Sequence, residues 1–135
     1  MTLLDCPVSG TGAQAAKADL VFFASGEKAA YERLRPALLA MGRVAHHLGA
    51  FGNGSRMKYV ANLLVAIHNV AAAEALTLAR ASGLNVAQVL ELLRTGAGGS
   101  RMLDVRGPKM VAADYSPLMR LELWQKDMAI ISQFI

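Results

Sequence analysis

The sequence predicts a mainly α fold built around one long buried helix, with a few short β-strands at the N-terminus. Three observations predict it. The apolar stretch from Met57 to Ala79 is too long for a strand and suits a helix. Cap and stop signals bracket a second helix directly after it. Short apolar runs bounded by Gly, Ser and Asp occur only in the first fifty residues.

In chain order, Thr2 to Asp5 and Asp19 to Ala24 read as strands, the second containing the run Leu20-Val21-Phe22-Phe23. A loop rich in Gly, Ser and Ala joins them. Glu27 to Met41 has helical character, with Pro36 marking a kink or a break. Arg43 to Leu48 reads as another strand, and Gly49 to Gly54 punctuates the chain. The dominant helix runs from Ser55 to Ser82, roughly 40 Å at 1.5 Å per residue, and Gly83 stops it. Asn85 caps a helix over Val86 to Arg94, and the Gly96-Ala97-Gly98-Gly99 break follows. A further helix starts near Ser100, limited by Pro108. Asp114-Tyr115-Ser116-Pro117 is a turn, and a helical pattern runs from Leu118 to the end. Both ends have the look of cuts, since the chain stops on apolar Phe134 and Ile135 without a capping signal.

The composition excludes several classes. At 135 residues and 54% hydrophobic, the chain can bury a core and is not disordered. The lone Cys6 forms no internal disulfide and suits a reducing, cytoplasmic setting. Cys6 reads as a small core residue, with Pro7 after it and no base partner in view. The net charge is +4, but the densest basic group (Arg101, Arg106, Lys109) has no interleaved aromatic residue, which argues against nucleic acid. The opening MTLLDCPVSG lacks the basic start and long apolar run of a signal peptide. Lys58, Asn62, His68, Asn69 and Glu74 interrupt the long apolar stretch, which argues against a membrane span. His46 and His47 are adjacent on a strand, point to opposite faces and make a poor metal pair; no metal site is expected.

The long helix is apolar nearly all round, which places it inside a bundle. At 100° per residue, Lys58, Asn62 and Asn69 fall within about 40° of one another, opposite Arg56 and Glu74. A lysine buried among apolar groups has its charged form disfavoured, which suits it to proton transfer. An asparagine one turn on can hold a substrate hydroxyl beside it. On periodicity alone, a lysine reaching solvent and an asparagine satisfied in the core explain the pattern somewhat more simply.

Motifs shift that balance. Gly52-Asn53-Gly54-Ser55-Arg56-Met57-Lys58-Tyr59-Val60-Ala61-Asn62 resembles the G-x-G-x-x-x-K-x-x-N-N signature of the β-hydroxyacid dehydrogenases, which include 3-hydroxyisobutyrate dehydrogenase and, more distantly, 6-phosphogluconate dehydrogenase. Asp5-Cys6-Pro7-Val8-Ser9-Gly10-Thr11 resembles that family's D-A-P-V-S-G-G substrate loop. Leu123-Trp124-Gln125-Lys126-Asp127-Met128 resembles its L-x-x-K-D-L element. The three stand in the right order and span essentially the whole chain. Departures are Cys6 for alanine, Thr11 for glycine and Ala61 for the first asparagine.

The resemblance implies a division into residues 1–51, the end of a Rossmann-like nucleotide-binding domain with the substrate loop, and residues 52–135, an all-α catalytic and dimerisation domain. It implies NAD or NADP as cofactor, a small 3-hydroxy acid or its semialdehyde as substrate, and a homodimer or higher homo-oligomer. Lys58 is then the general acid/base and Asn62 holds the hydroxyl. Ser9, Gly10 and Thr11 bind the carboxylate, and Lys126 approaches the cofactor. A chain of this length is short for a dehydrogenase with its own dinucleotide domain, so by itself it is expected to be inactive.

One glycine motif is a decoy. Gly10-Thr11-Gly12-Ala13-Gln14-Ala15 fits G-x-G-x-x-G/A, the dinucleotide fingerprint. The fingerprint needs a helix of about three turns after it to seat the pyrophosphate, and the next strand begins about five residues later. The fingerprint is therefore rejected. The rival reading is a non-catalytic helical oligomerisation module whose lysine and asparagines only satisfy one another. The reading frame upstream of Met1 separates the two: a G-x-G-x-x-G strand there favours the enzyme, and a stop codon favours the module.

Overall fold

In the computed structural model the chain is a small mixed sheet followed by helices. It describes residues 1–116 and 121–134, without the side chains of Leu121 and Leu123. The chain divides into two compact units, Met1–Ala61 and Asn62–Ile135.

In the first unit, strands β1 (Leu4–Asp5), β2 (Val8–Ser9), β3 (Val21–Gly26) and β4 (Val44–His47) form one sheet around β3. The run Phe22, Phe23, Ala24 and Ser25 is buried, as a strand paired along both edges should be. β1 and β2 both pair antiparallel with β3, Asp5 opposite Ser25 and Ser9 opposite Val21. Cys6-Pro7 interrupts them, and the Pro7 carbonyl accepts the Phe23 amide across the gap. β4 pairs parallel with β3, Phe22 beside Ala45. Parallel pairing needs a crossover, supplied by α2 (Lys28–Met41), whose Tyr31 hydroxyl donates to the Ala45 carbonyl at 2.8 Å. Pro36 lies inside α2 without ending it. Its position is exposed, so the Glu32 carbonyl that loses its donor can turn to water.

The segment expected to be loop between the first two strands contains β2 and a one-turn helix, α1 (Gly12–Ala15). Two-residue strands and one-turn helices leave no periodicity to read. The four residues of α1 also bear out the rejection of the glycine decoy, because no helix of three turns follows Gly10.

The helix α3 (Asn53–Ala81) begins in the first unit and continues into the second. In the second unit it is followed by α4 (Val86–Arg94), α5 (Arg101–Val111) and α6 (Leu121–Phe134). Asn85 caps α4 by accepting the Gln88 amide, and Ser100 caps α5 by accepting the Leu103 amide. Gly83 takes a φ of 74° and closes α3. Pro108 lies within α5. The Asp104 carbonyl, which would have received an amide from position 108, instead accepts Arg94 Nη2 at 3.0 Å. The helical pattern from Leu118 is described from Leu121 on; the Pro117 end of the preceding turn and Leu118 to Arg120 lie outside the described residues.

The mainly α class stands, but the burial expected of the long helix does not. Asn69, Ala72, Leu76 and Ala79 are buried, a stripe spaced three, four and three, with Ala72 and Leu76 packed with Leu90 and Leu103. Val60, Leu63, Leu64, Ile67, Val70 and Leu78 are exposed. α3 is apolar all round, yet among the described residues much of its apolar surface is exposed. By length and hydropathy alone α3 could cross a membrane.

Candidate active site

Four of the predicted residues lie in the first unit. Ser9 ends β2 and is half-buried. Gly10 follows with a φ of 148°, and a Cβ there would meet Leu20 Cδ2 at 2.5 Å; the turn therefore favours glycine on two counts. Thr11 is exposed and caps α1, its amide donating to Gln14 Oε1 at 3.0 Å and its hydroxyl lying 3.3 Å from the same oxygen. Gln14 Nε2 in turn donates to Asp19, which pairs with Arg43 at 3.0 Å. The Thr11 donors foreseen for a substrate carboxylate are thus turned to an acceptor from the chain itself. Lys58, on the second turn of α3, is half-buried rather than enclosed.

The start of α3 is held by Asp5, which the motif reading quoted without a role, and by groups outside the motifs. A helix leaves its first amides without intrahelical acceptors. Here the Asn53 amide goes to the Ala50 carbonyl, that of Gly54 to Ser25 Oγ at 2.9 Å, and that of Ser55 to Asp5 Oδ2 at 2.8 Å. Ser55 Oγ donates to Asp5 Oδ1 at 2.7 Å, and Ser25 Oγ to Asp5 Oδ2 at 3.0 Å. A Cβ on Gly54 would clash with the Phe23 carbonyl, so glycine lets the helix end approach β3 closely. Burial raises the Asp5 pKa, but hydrogen bonds from Ser55, Ser25 and Gly54 outweigh it and hold the carboxyl below its ordinary value. Burial and then the Asp5 charge push the Cys6 thiol up, which fits its reading as a core residue rather than a nucleophile.

In the second unit, Asn62 Nδ2 donates to Asp127 Oδ2 at 2.9 Å. Lys126 is largely exposed, its Nζ 3.5 Å from Asp127 Oδ1. The L-x-x-K-D-L element therefore supplies the partner that orients Asn62, a role its spacing did not reveal. Asn69, on the same stripe, donates to the Val65 carbonyl of its own helix at 2.7 Å and is satisfied there. A cavity of about 270 Å³ is lined by Leu76, Arg80, Arg106, Lys109, Asp114 and Tyr115 among others, and no predicted site residue lines it. Lys109 and Asp114 pair at its rim at 2.9 Å. Hydrogen bonds from Ser116 and Lys109 hold the Asp114 carboxyl far below the usual range. Among the described residues, no group of His, Cys, Asp and Glu could hold a metal ion. His47 instead stacks on Tyr31, ring centroids 5.0 Å apart, with Nε2 2.9 Å from the Gly26 carbonyl.

A lysine early on a long helix and a glycine turn after β2 stand in this fold, and comparison with known proteins gives its class. Residues 52–134 match the family described as the NAD-binding domain of NADP-dependent 3-hydroxyisobutyrate dehydrogenase, and residues 1–49 match the NAD-binding domain of 6-phosphogluconate dehydrogenase. The chain is 35% identical to L-threonate dehydrogenase of Haemophilus influenzae over 98% of its own length and 44% of that protein's. It is 36% identical to glyoxylate/succinic semialdehyde reductase 1 of Arabidopsis thaliana over 92% of its length and 43% of the reductase. A crystal structure of 3-hydroxyisobutyrate dehydrogenase from Salmonella typhimurium superposes with a TM-score of 0.87 at 33% identity, covering 98% of this chain and 47% of that one. The chain belongs to the β-hydroxyacid dehydrogenase family, and spans somewhat less than half the length of these relatives. The cofactor class of the family is NAD or NADP.

Among the described residues, the glycine loop offers such a dinucleotide only a short helix start. The one loop with the fingerprint spacing leads into four helical residues, too few to present a row of amides to a pyrophosphate.

Proposed function

We propose that this chain is the lysine-bearing part of an NAD(P)-dependent oxidoreductase acting on a small 3-hydroxy acid or the matching semialdehyde. The observation that carries the reading is Lys58, one helical turn before Asn62, on a helix whose start is pinned beside the substrate loop. A bound nicotinamide dinucleotide would supply the hydride acceptor. Lys58, as the neutral amine, takes the hydroxyl proton as the carbonyl forms, and returns it in the reductive direction. Asn62, with one Nδ2 hydrogen committed to Asp127, donates the other to the oxygen of that hydroxyl. The substrate carboxylate takes the place of Gln14 Oε1 on the Thr11 donors, beside Ser9 and Gly10. Exchanging a neutral acceptor for a charged one strengthens those bonds.

The functional boundary in this reading falls between residues 51 and 52, with Lys126 the residue of the helical part that approaches the cofactor. The exposed row Val60, Leu63, Leu64, Ile67 and Val70 supports assembly as a homodimer or higher oligomer, in the cytoplasm. The 135 residues alone are expected to show no turnover. The deciding measurement is Lys58→Ala in the intact enzyme: turnover should fall by about 100- to 10,000-fold, with dinucleotide affinity unchanged. Near-normal turnover in that variant would sink the assignment, and a screen of 3-hydroxy acids against NAD and NADP would identify the substrate.

A further inference from the structure

Asp5 stands at a junction. Four residues after it comes Ser9, the start of the substrate loop, and its carboxylate accepts three hydrogen bonds: from the Ser55 amide at 2.8 Å, the Ser55 hydroxyl at 2.7 Å and the Ser25 hydroxyl at 3.0 Å. Ser25 is fully buried and also accepts the Gly54 amide at 2.9 Å. Both oxygens of one carboxylate thus grip the first turn of α3, and Lys58 follows Ser55 by three residues, one turn along the same rigid element. Apolar contacts allow a helix to slide or roll at small cost, whereas three hydrogen bonds of fixed direction to its first turn do not. The negative charge also meets the positive end of the α3 dipole.

We infer that Asp5 and Ser25 are a positioning pair that fixes the rotation and advance of α3, and through it the placement of the Lys58 amine against the substrate loop. Neither residue touches substrate; each acts through Lys58. The inference rests on Lys58 being the general acid/base.

The test uses the intact enzyme, with rates referred to titrated active sites so that a smaller folded fraction does not count as slower chemistry. Asp5→Asn and Ser25→Ala should each lower kcat by up to about 100-fold, the scale of a displacement of about 1 Å at a reacting group, while dinucleotide Kd stays unchanged. In a Lys58→Ala background the same substitutions should change the residual turnover by no more than about twofold, because the residue they act through is gone. An added primary amine that rescues Lys58→Ala should rescue it equally with or without Asp5→Asn. Unchanged kcat in the single variants overturns the inference. So does the same large loss repeated in the Lys58→Ala background, which marks a general structural role. If Lys58→Ala alone turns over normally, the general acid/base reading fails first and the positioning role falls with it, a result legible from that variant by itself. Should Asp5→Asn not fold, Ser25→Ala and Ser55→Ala, which each remove fewer bonds, carry the same comparison.

Discussion

The two ends of α3 are held by different physics. At the start, Asp5 and Ser25 take up two of the helix's unsatisfied amides and the Ser55 hydroxyl through short, directed hydrogen bonds. Toward the end, Ala72, Leu76 and Ala79 are buried, with Ala72 and Leu76 in one apolar cluster with Leu90 and Leu103. The polar end specifies where the helix sits, and the apolar end supplies most of the stabilisation in its unit. Between them one face carries an exposed apolar row, Val60, Leu63, Leu64, Ile67 and Val70. The contrast predicts that disturbing the apolar end costs stability first, while disturbing the polar end costs geometry out of proportion to stability.

The largest change in stability is expected from Leu103→Ala. Leu103 is 2% exposed at the centre of the cluster, and removing such a side chain costs about 2–5 kcal/mol in transfer and cavity terms. Urea unfolding measures it, and a loss below about 1 kcal/mol would mean that the cluster is looser than its burial indicates. Gly54→Ala comes next and has a diagnostic sign. In an open helix this change stabilises by about 1 kcal/mol. Here the new methyl meets the backbone carbonyl of Phe23, so destabilisation by about 1–3 kcal/mol is expected as overpacking.

Asp5→Ala tests the polar end directly. Losing a side-chain acceptor at a helix start costs about 0.5–2 kcal/mol, and the cost should depend on pH in one direction. The folded-state pKa of Asp5 lies below its ordinary value of 3.8. The stability it contributes is therefore fully present above that value and is lost as pH falls through the lower, folded-state value. Wild type and Asp5→Ala should differ most near neutrality and converge in acid. A gap that widens in acid would contradict the ordering of the two pKa values.

How much of this was legible in the sequence follows the same division. Cap-to-stop signals placed α4 at its observed bounds, because Asn85 and its neighbours act within one turn. The length of α3 was readable from its apolar run, and its actual burial was not, because composition records what a helix can bury and not what lies against it. β2 and α1 were missed for want of length. Motif and shared stripe single out Lys58 and Asn62 as candidates. The partners that hold them were not legible, since Asp5 lies 50 residues from Ser55 and Asn62 lies 65 from Asp127, distances over which no local rule operates. Both aspartates stood inside quoted motifs, and a carboxylate in a substrate-loop motif was the one available signal that it had work elsewhere.

The smallest expected effect concerns the exposed row in the middle of α3. Leu64 is 48% exposed, so Leu64→Ser removes little buried area and should change the stability of the isolated chain by no more than about 0.5 kcal/mol. Its effect should appear in mass instead. Leu64 and Val60 lie one turn apart and both are exposed, as are Ile67 and Leu63 on the neighbouring flank; a contiguous apolar row of this kind favours association over solvation. Sedimentation or light scattering across a concentration series should show the parent chain self-associating and Leu64→Ser shifted toward monomer, with unfolding midpoints at low concentration nearly equal. If instead the substitution lowers the midpoint at every concentration and leaves the mass unchanged, Leu64 is packed within its own chain. The middle of α3 would then resemble its apolar end, and the three-part division of the helix would reduce to two.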